Sequence, residues 1–89
     1  MPSARRIIIR TEKTQIVSYN VKRIVLALAN LGNYTIYLSP DHENIRDEGF
    51  PLMPGMMLIF RKKDGDKTDM ALYAIADNES ELRIWEEWE

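Results

Sequence analysis

The stretch Lys22 to Asn30, which reads Lys-Arg-Ile-Val-Leu-Ala-Leu-Ala-Asn, decides the fold of this chain. In an extended conformation successive side chains point to opposite sides, so the two apolar sets separate cleanly. Such a strand is predicted to be buried on both faces. One face would carry Ile24, Leu26 and Leu28, and the other Val25, Ala27 and Ala29.

Good helix formers occupy the same stretch, so a helix is the rival prediction for it. The run is short, however, and ends in a turn-forming segment, Asn30 to Asn33, that leads directly into Tyr34 to Ser39. The second segment alternates Tyr, Ile and Leu with Thr and Tyr, which is the period of a strand. We therefore predict two strands that form a hairpin.

Further short apolar runs separated by Gly, Pro, Asn and Asp continue the strand signature along the chain. Together they predict one domain over residues 1–89 with an all-β fold: a small antiparallel β-sandwich, jelly-roll-like, of about seven to eight strands. The connectivity of the strands stays open. The other predicted strands are Arg6 to Arg10, Gln15 to Ser18, Met56 to Lys62, Met70 to Ala76 and Leu82 to Trp88. The predicted core comprises Ile24, Leu26, Leu28, Ile36, Leu38, Leu58, Phe60, Leu72, Ala74, Leu82 and Ile84.

The segment Pro40 to Gly55 differs from its surroundings, because it holds three prolines and two glycines after an acidic first half. It is predicted to be a long connection with one helical turn near His42 to Ile45. Loops of this length in compact domains are often functional.

The totals restrict the possible functions. Twelve Lys and Arg against fourteen Asp and Glu give a net charge of −2, which weighs against a phosphate-tracking nucleic-acid binder. The chain has no cysteine, so disulfides and thiolate chemistry are excluded. No stretch reads as a signal peptide or is long enough to span a membrane, and we expect no membrane partner.

Candidate chemistry is sparse. His42 is the single histidine and is interpreted as a loop residue, since a zinc site needs several His or Cys ligands. Asp64, Asp66 and Asp69 crowd one turn, but the intervening lysines favour a solvated tip over a calcium site. Neither a Gly-x-Ser-x-Gly turn nor a phosphate-binding loop is present. The sequence therefore predicts a protein that is not an enzyme, without catalytic residues, metal or cofactor.

Two alternatives stay open. Basic clusters at Arg5 to Lys13 and at Arg61 to Lys63, with Tyr19, Tyr34 and Tyr37, are typical of single-strand nucleic-acid binding on an OB-like barrel. The net negative charge weighs against nucleic acid as a partner. A small carbohydrate-binding module is the other alternative.

Two apolar groups lie outside the predicted core and are candidate interface residues. Trp85 and Trp88 lie near the chain end, and if the strand continues, Trp88 shares a face with Leu82 while Trp85 lies on the opposite face. Buried tryptophans are frequent interface anchors, and an alternative role for a terminal indole is to cover the open end of the sandwich. The second group belongs to the long loop, whose methionines suit adaptable contacts: Phe50, Leu52, Met53, Met56 and Met57.

Several of these segments together resemble small β-sandwich structural proteins of tailed bacteriophages and related viruses. The resemblance rests on the order of Lys22 to Asn30, Tyr34 to Ser39, the motif Gly-Phe-Pro-Leu-Met-Pro-Gly at Gly49 to Gly55, and Leu72 to Ala76. It implies a virion component such as a capsid decoration, head-fibre or tail-associated module, and no catalytic residue. The expected partners are copies of the same chain, with a trimer as the first expectation, and other virion proteins such as the major capsid protein. The expected location is the virion, with the host cytoplasm during assembly.

Overall fold

Eight strands form two antiparallel sheets of four in the computed structural model, which describes residues 1–41 and 43–89. Sheet A has the order β1-β8-β3-β6 and sheet B the order β2-β7-β4-β5. This order is that of a jelly roll, in which the chain crosses from one sheet to the other at most connections. The strands are β1 (Pro2–Ile9), β2 (Thr14–Val17), β3 (Arg23–Asn30), β4 (Ile36–Ser39), β5 (Phe50–Leu52), β6 (Met57–Arg61), β7 (Leu72–Ala76) and β8 (Ser80–Trp88).

The inner faces of the two sheets enclose the core, which confirms the predicted sandwich. Eight of the predicted core residues are buried, whereas Leu58 and Phe60 are half-buried and pack against the others. Ile24 is also only half-buried, because it is the extra residue of a β-bulge between Arg23 and Val25. The cluster of buried residues that forms the core comprises Ile9, Ile16, Val17, Leu26, Leu28, Ile36, Leu38, Leu52, Leu72, Ala74, Ala76, Leu82 and Ile84.

The predicted hairpin of β3 and β4 is wrong. β3 pairs with β8 and β6 in sheet A, whereas β4 pairs with β7 and β5 in sheet B. The amide of Asn30, at the end of β3, donates to the carbonyl oxygens of Tyr34 and Leu52, both at 2.8 Å. These bonds fix the connection as a crossing between sheets, since Leu52 belongs to sheet B.

Buried polar residues close the two ends of β3. At one end the bulge turns Arg23 inward, where its guanidinium bonds Glu86 at 2.9 Å and the carbonyl oxygens of Thr68, Met70 and Ser18 at 2.7–3.1 Å. At the other end Asn30 also accepts hydrogen bonds from Gly32 N–H and Ser80 Oγ. Both residues are buried and hydrogen-bonded, as buried polar groups need to be.

The long connection is more ordered than predicted. Its single helical turn, α1 (Ile45–Glu48), begins where the predicted one ends, and it is followed by the unpredicted strand β5. His42 lies outside the described residues. Met53 to Met56 make a tight turn in which the Met56 N–H donates to the Met53 carbonyl at 2.9 Å. Pro54 precedes Gly55 at φ 84°, so the turn has the residues that a type II turn requires.

Candidate assembly surface

The outer face of sheet A carries Trp85 at its centre. Register places Ala4 of β1 on one side of Trp85 and Ala27 of β3 on the other, with Ile59 of β6 beyond Ala27. Trp85 is 43% exposed, although it lies on an inner strand of the sheet. The sequence predicted burial of both faces of β3, but Val25, Ala27 and Ala29 are only half-buried, because no described element packs over them.

The Trp85 indole has a fixed orientation. Its Nε1–H donates to Glu87 Oε2 at 2.8 Å, so the ring is held towards Glu87. A groove opens beside it, and its lining combines small alanine side chains with long arginine and methionine side chains. The groove is lined by Ala4, Arg5, Arg6, Ala27, Leu28, Ala29, Met57, Arg83, Ile84 and Trp85.

Charged side chains border this apolar row on both sides. The next row towards the start of β8 brings Arg6, Arg83, Ala29 and Met57 into register. Arg83 Nε donates to Glu81 Oε2 at 2.7 Å, and Arg6 lies 3.7 Å from the carboxylate of the same residue. On the other side, Glu87 lies in register with Val25 and Pro2.

The predicted loop group is divided by the structure. Phe50 and Met53 are more than half exposed, Met56 is 38% exposed, and Met57 is 62% exposed at the border of the groove. The prediction of Leu52 as an interface residue is corrected by the structure. Leu52 is fully buried, because it faces Ile36 across the β4–β5 pair and fills the core. It is therefore unavailable as a surface contact.

The two tryptophans lie on opposite faces of β8, as the alternation predicts. Trp88 is half-buried on the inner side, in register with Arg23 at one end of the sandwich. The N-terminal amine donates to its carbonyl oxygen at 2.6 Å, which holds β1 against this end. Trp88 therefore lies on the inner side of sheet A at the end of β8, and Trp85 is the more exposed indole on the outer side.

Sheet B differs from sheet A on its outer side. Helix α1 packs against β4 and β7, and Arg46 bonds Asp77 Oδ1 at 2.7 Å and the Ala76 carbonyl at 3.0 Å. The Tyr37 hydroxyl donates to Asp77 Oδ2 at 3.2 Å. Desolvation, and next the Asp77 charge, raise the pKa of Tyr37 above its usual value. Polar groups with hydrogen-bond partners thus occupy part of this outer face, beside Ile75 and Pro51, which lie in register with Tyr37.

The remaining candidate residues do not converge. Asp66 accepts from the Arg61 N–H at 2.9 Å, Asp69 lies 3.2 Å from Lys67, and Asp64 lies 3.9 Å from Arg61. Within the described ranges, no three metal-ligating side chains form a group. Arg61 and Tyr37 lie on outer faces of opposite sheets, and the fold is a jelly roll and not an OB barrel. No helix in the described part of the chain has the length and hydropathy to cross a membrane.

The comparisons with known proteins bear on the fold alone. No protein-family model matches the chain, and a search of curated proteins finds no match either. Among solved structures, the chain is similar to a protein of Bacillus endospore appendages, which are described as a novel family of disulfide-linked pili. The TM-score is 0.50 at 11% identity, over 99% of this chain and 84% of that one. This likeness agrees with the β-sandwich described above.

Proposed function

We propose that this chain is a non-enzymatic structural subunit that acts by assembling with other protein subunits, first of all copies of itself. The observation that carries the proposal is the Trp85 face, by which we mean the outer side of sheet A around Trp85, with its apolar row and the charged residues that border it. In the described part of the chain Trp85 is 43% exposed at the centre of this face. Aromatic residues in well-packed surroundings are the usual anchors of protein interfaces. Small domains also gain stability by association, since their own cores are limited.

The alanines around Trp85 support this interpretation. Alanine is depleted in strands, so strand propensity gives no reason for Ala4, Ala27 and Ala29 to surround the indole. The small alanine side chains leave a depression in the surface next to the large indole, and a complementary surface can interdigitate with these two features. A purely solvated face would be expected to carry Thr, Lys or Glu at these positions.

The finer proposal is that the assembly is a virus particle, with the chain as a capsid decoration or tail-associated module that meets the major capsid protein. Its support is the sequence resemblance described above, and jelly rolls recur among viral capsid domains. Because one fold serves many functions, the fold adds little weight by itself. The subunit would be synthesised in the host cytoplasm and then join the particles. An antiserum against the chain should therefore label virus particles that have been purified from the host by density banding.

Carbohydrate binding is the weaker alternative. An exposed indole in a groove can stack on a sugar, and Arg6 and Arg83 in the groove lining could donate hydrogen bonds to its hydroxyl groups. Both guanidiniums already contact Glu81, however, and the other small residues of the lining are alanines, so we rank a protein partner first.

The test is the mass of the chain in solution over a dilution series, measured by light scattering after size-exclusion chromatography. We expect an oligomer whose dissociation constant rises about 30-fold or more for each indole removed by Trp85→Ala, which corresponds to about 2 kcal/mol per anchor. The matched control is Tyr19→Ala, because Tyr19 is 64% exposed yet lies in the β2–β3 connection. A monomer at every concentration would refute assembly of the chain with itself.

A further inference from the structure

The Trp85 face contains oppositely charged residues at equal distances from its centre. Arg83 and Glu87 lie two positions before and two positions after Trp85 along β8, and all three point to the outer side. Same-face neighbours on a strand are about 7 Å apart. Reversing the direction of β8 about Trp85 therefore exchanges the position of a cation with that of an anion.

The shape of the Trp85 face also differs between its Arg83 side and its Glu87 side. Because its nitrogen bonds Glu87, the indole is held on the Glu87 side, and the groove lies on the Arg83 side between Trp85, Met57 and Arg6. A two-fold rotation that exchanges the two sides therefore places the indole of one copy over the groove of the other. The same rotation also places the charged residue on one side opposite the residue of opposite charge.

From these two observations, and resting on the proposed function, we infer that the occupant of the Trp85 face is a second copy of the chain. The copies are related by a two-fold axis that runs through the Trp85 row, perpendicular to the strands. Glu87 of each copy then lies over Arg83 of the other, so the pair occurs twice. Each indole fills the groove of the other chain, beside the guanidinium, where an aromatic face attracts a cation.

The other face-to-face arrangement has its two-fold axis along the strands, and it is electrostatically worse. With the axis between β8 and β3, it would place Arg83 over Ala29 and Glu87 over Val25 of the copy, since these residues share rows of sheet A. Charged groups would then lose water without gaining a partner, which is unfavourable. With the axis on β8 itself, each charge would face its own copy. The axis perpendicular to the strands also places two arginines of the edge strands over apolar residues of the copy, Arg6 over Pro2 and Arg61 over Met57. Unlike the arrangements with the axis along the strands, it gives every Arg83 and every Glu87 an oppositely charged partner, and we select it on that ground.

The dimensions of the molecule and the chemistry of Arg83 are both compatible with this pairing. The molecule measures 34 × 24 × 18 Å, so an interface that buries ~800 Å² per partner would take up most of one broad side. Arg83 contacts Glu81 through Nε, and a guanidinium has five N–H donors, so the Nη groups can bind a second carboxylate. The contact is isologous, as in most two-fold dimers, and the expected mass is about twice the 10.4 kDa of one chain or a further even multiple.

Charge reversal tests this pairing. The single variants Arg83→Glu and Glu87→Arg each place like charges together at both symmetry-related positions. We expect each to raise the dissociation constant at least about 100-fold, since like-charge contacts in interfaces are strongly unfavourable. The double variant Arg83→Glu/Glu87→Arg restores both pairs in reversed order but loses the Glu87 acceptor of the Trp85 N–H, so we expect it to bind at least about tenfold more tightly than either single variant without matching the original. An equimolar mixture of the two single variants should form mixed dimers, detectable by native mass spectrometry with one variant isotopically labelled.

The controls separate failure of this inference from failure of the proposed function. Glu12→Arg reverses a carboxylate in the β1–β2 connection and should leave assembly unchanged, and circular dichroism verifies that every variant is folded. If the original chain and both single variants assemble equally well, or if folded double variants and mixtures do not recover, the two-fold pairing is refuted while assembly stands. If the original chain is monomeric throughout, the proposed self-assembly fails and the pairing fails with it.

Discussion

Replacing Asn30 by Asp tests how the crossing between the sheets is held. The side chain is fully buried and makes four hydrogen bonds, two donated by Nδ2 to the Tyr34 and Leu52 carbonyls and two accepted by Oδ1 from Gly32 and Ser80. Aspartate has nearly the same shape and can keep the accepted bonds. It cannot donate when ionised, so one carboxylate oxygen would lie where Nδ2 now lies, 2.8 Å from two carbonyl oxygens.

The magnitude follows from those two lost bonds. Leaving a buried carbonyl without its donor costs about 1–3 kcal/mol, so Asn30→Asp should lower the free energy of unfolding by about 2–6 kcal/mol at pH 7. Proteins of this kind have about 5–15 kcal/mol in total, so the loss is large. The matched control is Asn20→Asp, because the Asn20 side chain accepts one bond, from Lys22 N–H at 3.0 Å, and keeps it as aspartate.

The pH dependence of the variant has a definite sign. Burial, together with the two carbonyl oxygens that face the oxygen replacing Nδ2, raises the folded-state pKa of the carboxyl that Asn30→Asp introduces above its unfolded value of about 3.9, so the folded variant binds the additional proton. Its destabilisation is therefore complete above the folded-state pKa and shrinks as the pH falls towards about 4. Urea unfolding at matched protein concentrations and several pH values measures both effects. A variant within about 0.5 kcal/mol of the original at pH 7 would refute the assigned role of the Asn30 amide.

Two further changes probe the same framework by urea unfolding. Arg23→Ala removes the donor to three carbonyls and the more buried of the two arginines that pair with Glu86, the other being Arg5, and should cost about 3–5 kcal/mol. A loss below about 1 kcal/mol would contradict a structural role for the buried guanidinium. Gly55→Ala meets no atom within 4 Å but must adopt φ near 84°, so it should cost about 1–2 kcal/mol through the backbone alone, and no change would contradict the left-handed turn.

Local patterns were sufficient to predict most strands. Short apolar runs bounded by turn residues predicted β3, β4, β7 and β8 to within two residues of their ends, and a period of two identified β4 in particular. β5 was missed since Phe-Pro-Leu is too short to show a period. The buried Asn30 had a usable signal, as it is a polar residue at an inward position of an apolar strand, whereas the inward turn of Arg23 depends on a bulge that alternation does not reveal.

Pairing was less predictable than strand formation. A turn-rich segment between two strands is equally compatible with a hairpin and with a crossing between sheets, and the choice here depends on bonds to Leu52 and Ser80, which are distant in sequence. The same holds for the candidate surface. Leu52 and Phe50 are two residues apart, yet Leu52 is buried and Phe50 is 52% exposed. The sequence could not predict this difference, because a three-residue strand is too short to show which residues face the core and which lie at an edge.

The apolar outer side of β3 has a different explanation from the one that its sequence first suggests. A second covering layer within the chain would bury it, but the eight strands of the described residues are all used in the two sheets, and sheet B closes only the inner side. The outer residues of β3 are nevertheless smaller than the inner ones: Ala27 and Ala29 oppose Leu26 and Leu28. Small residues outside and large residues inside suit a surface that another molecule approaches closely. Trp85 projects between Ala27 and Ala4 of β1, so the face offers both the protrusion and the depression that a second identical face requires.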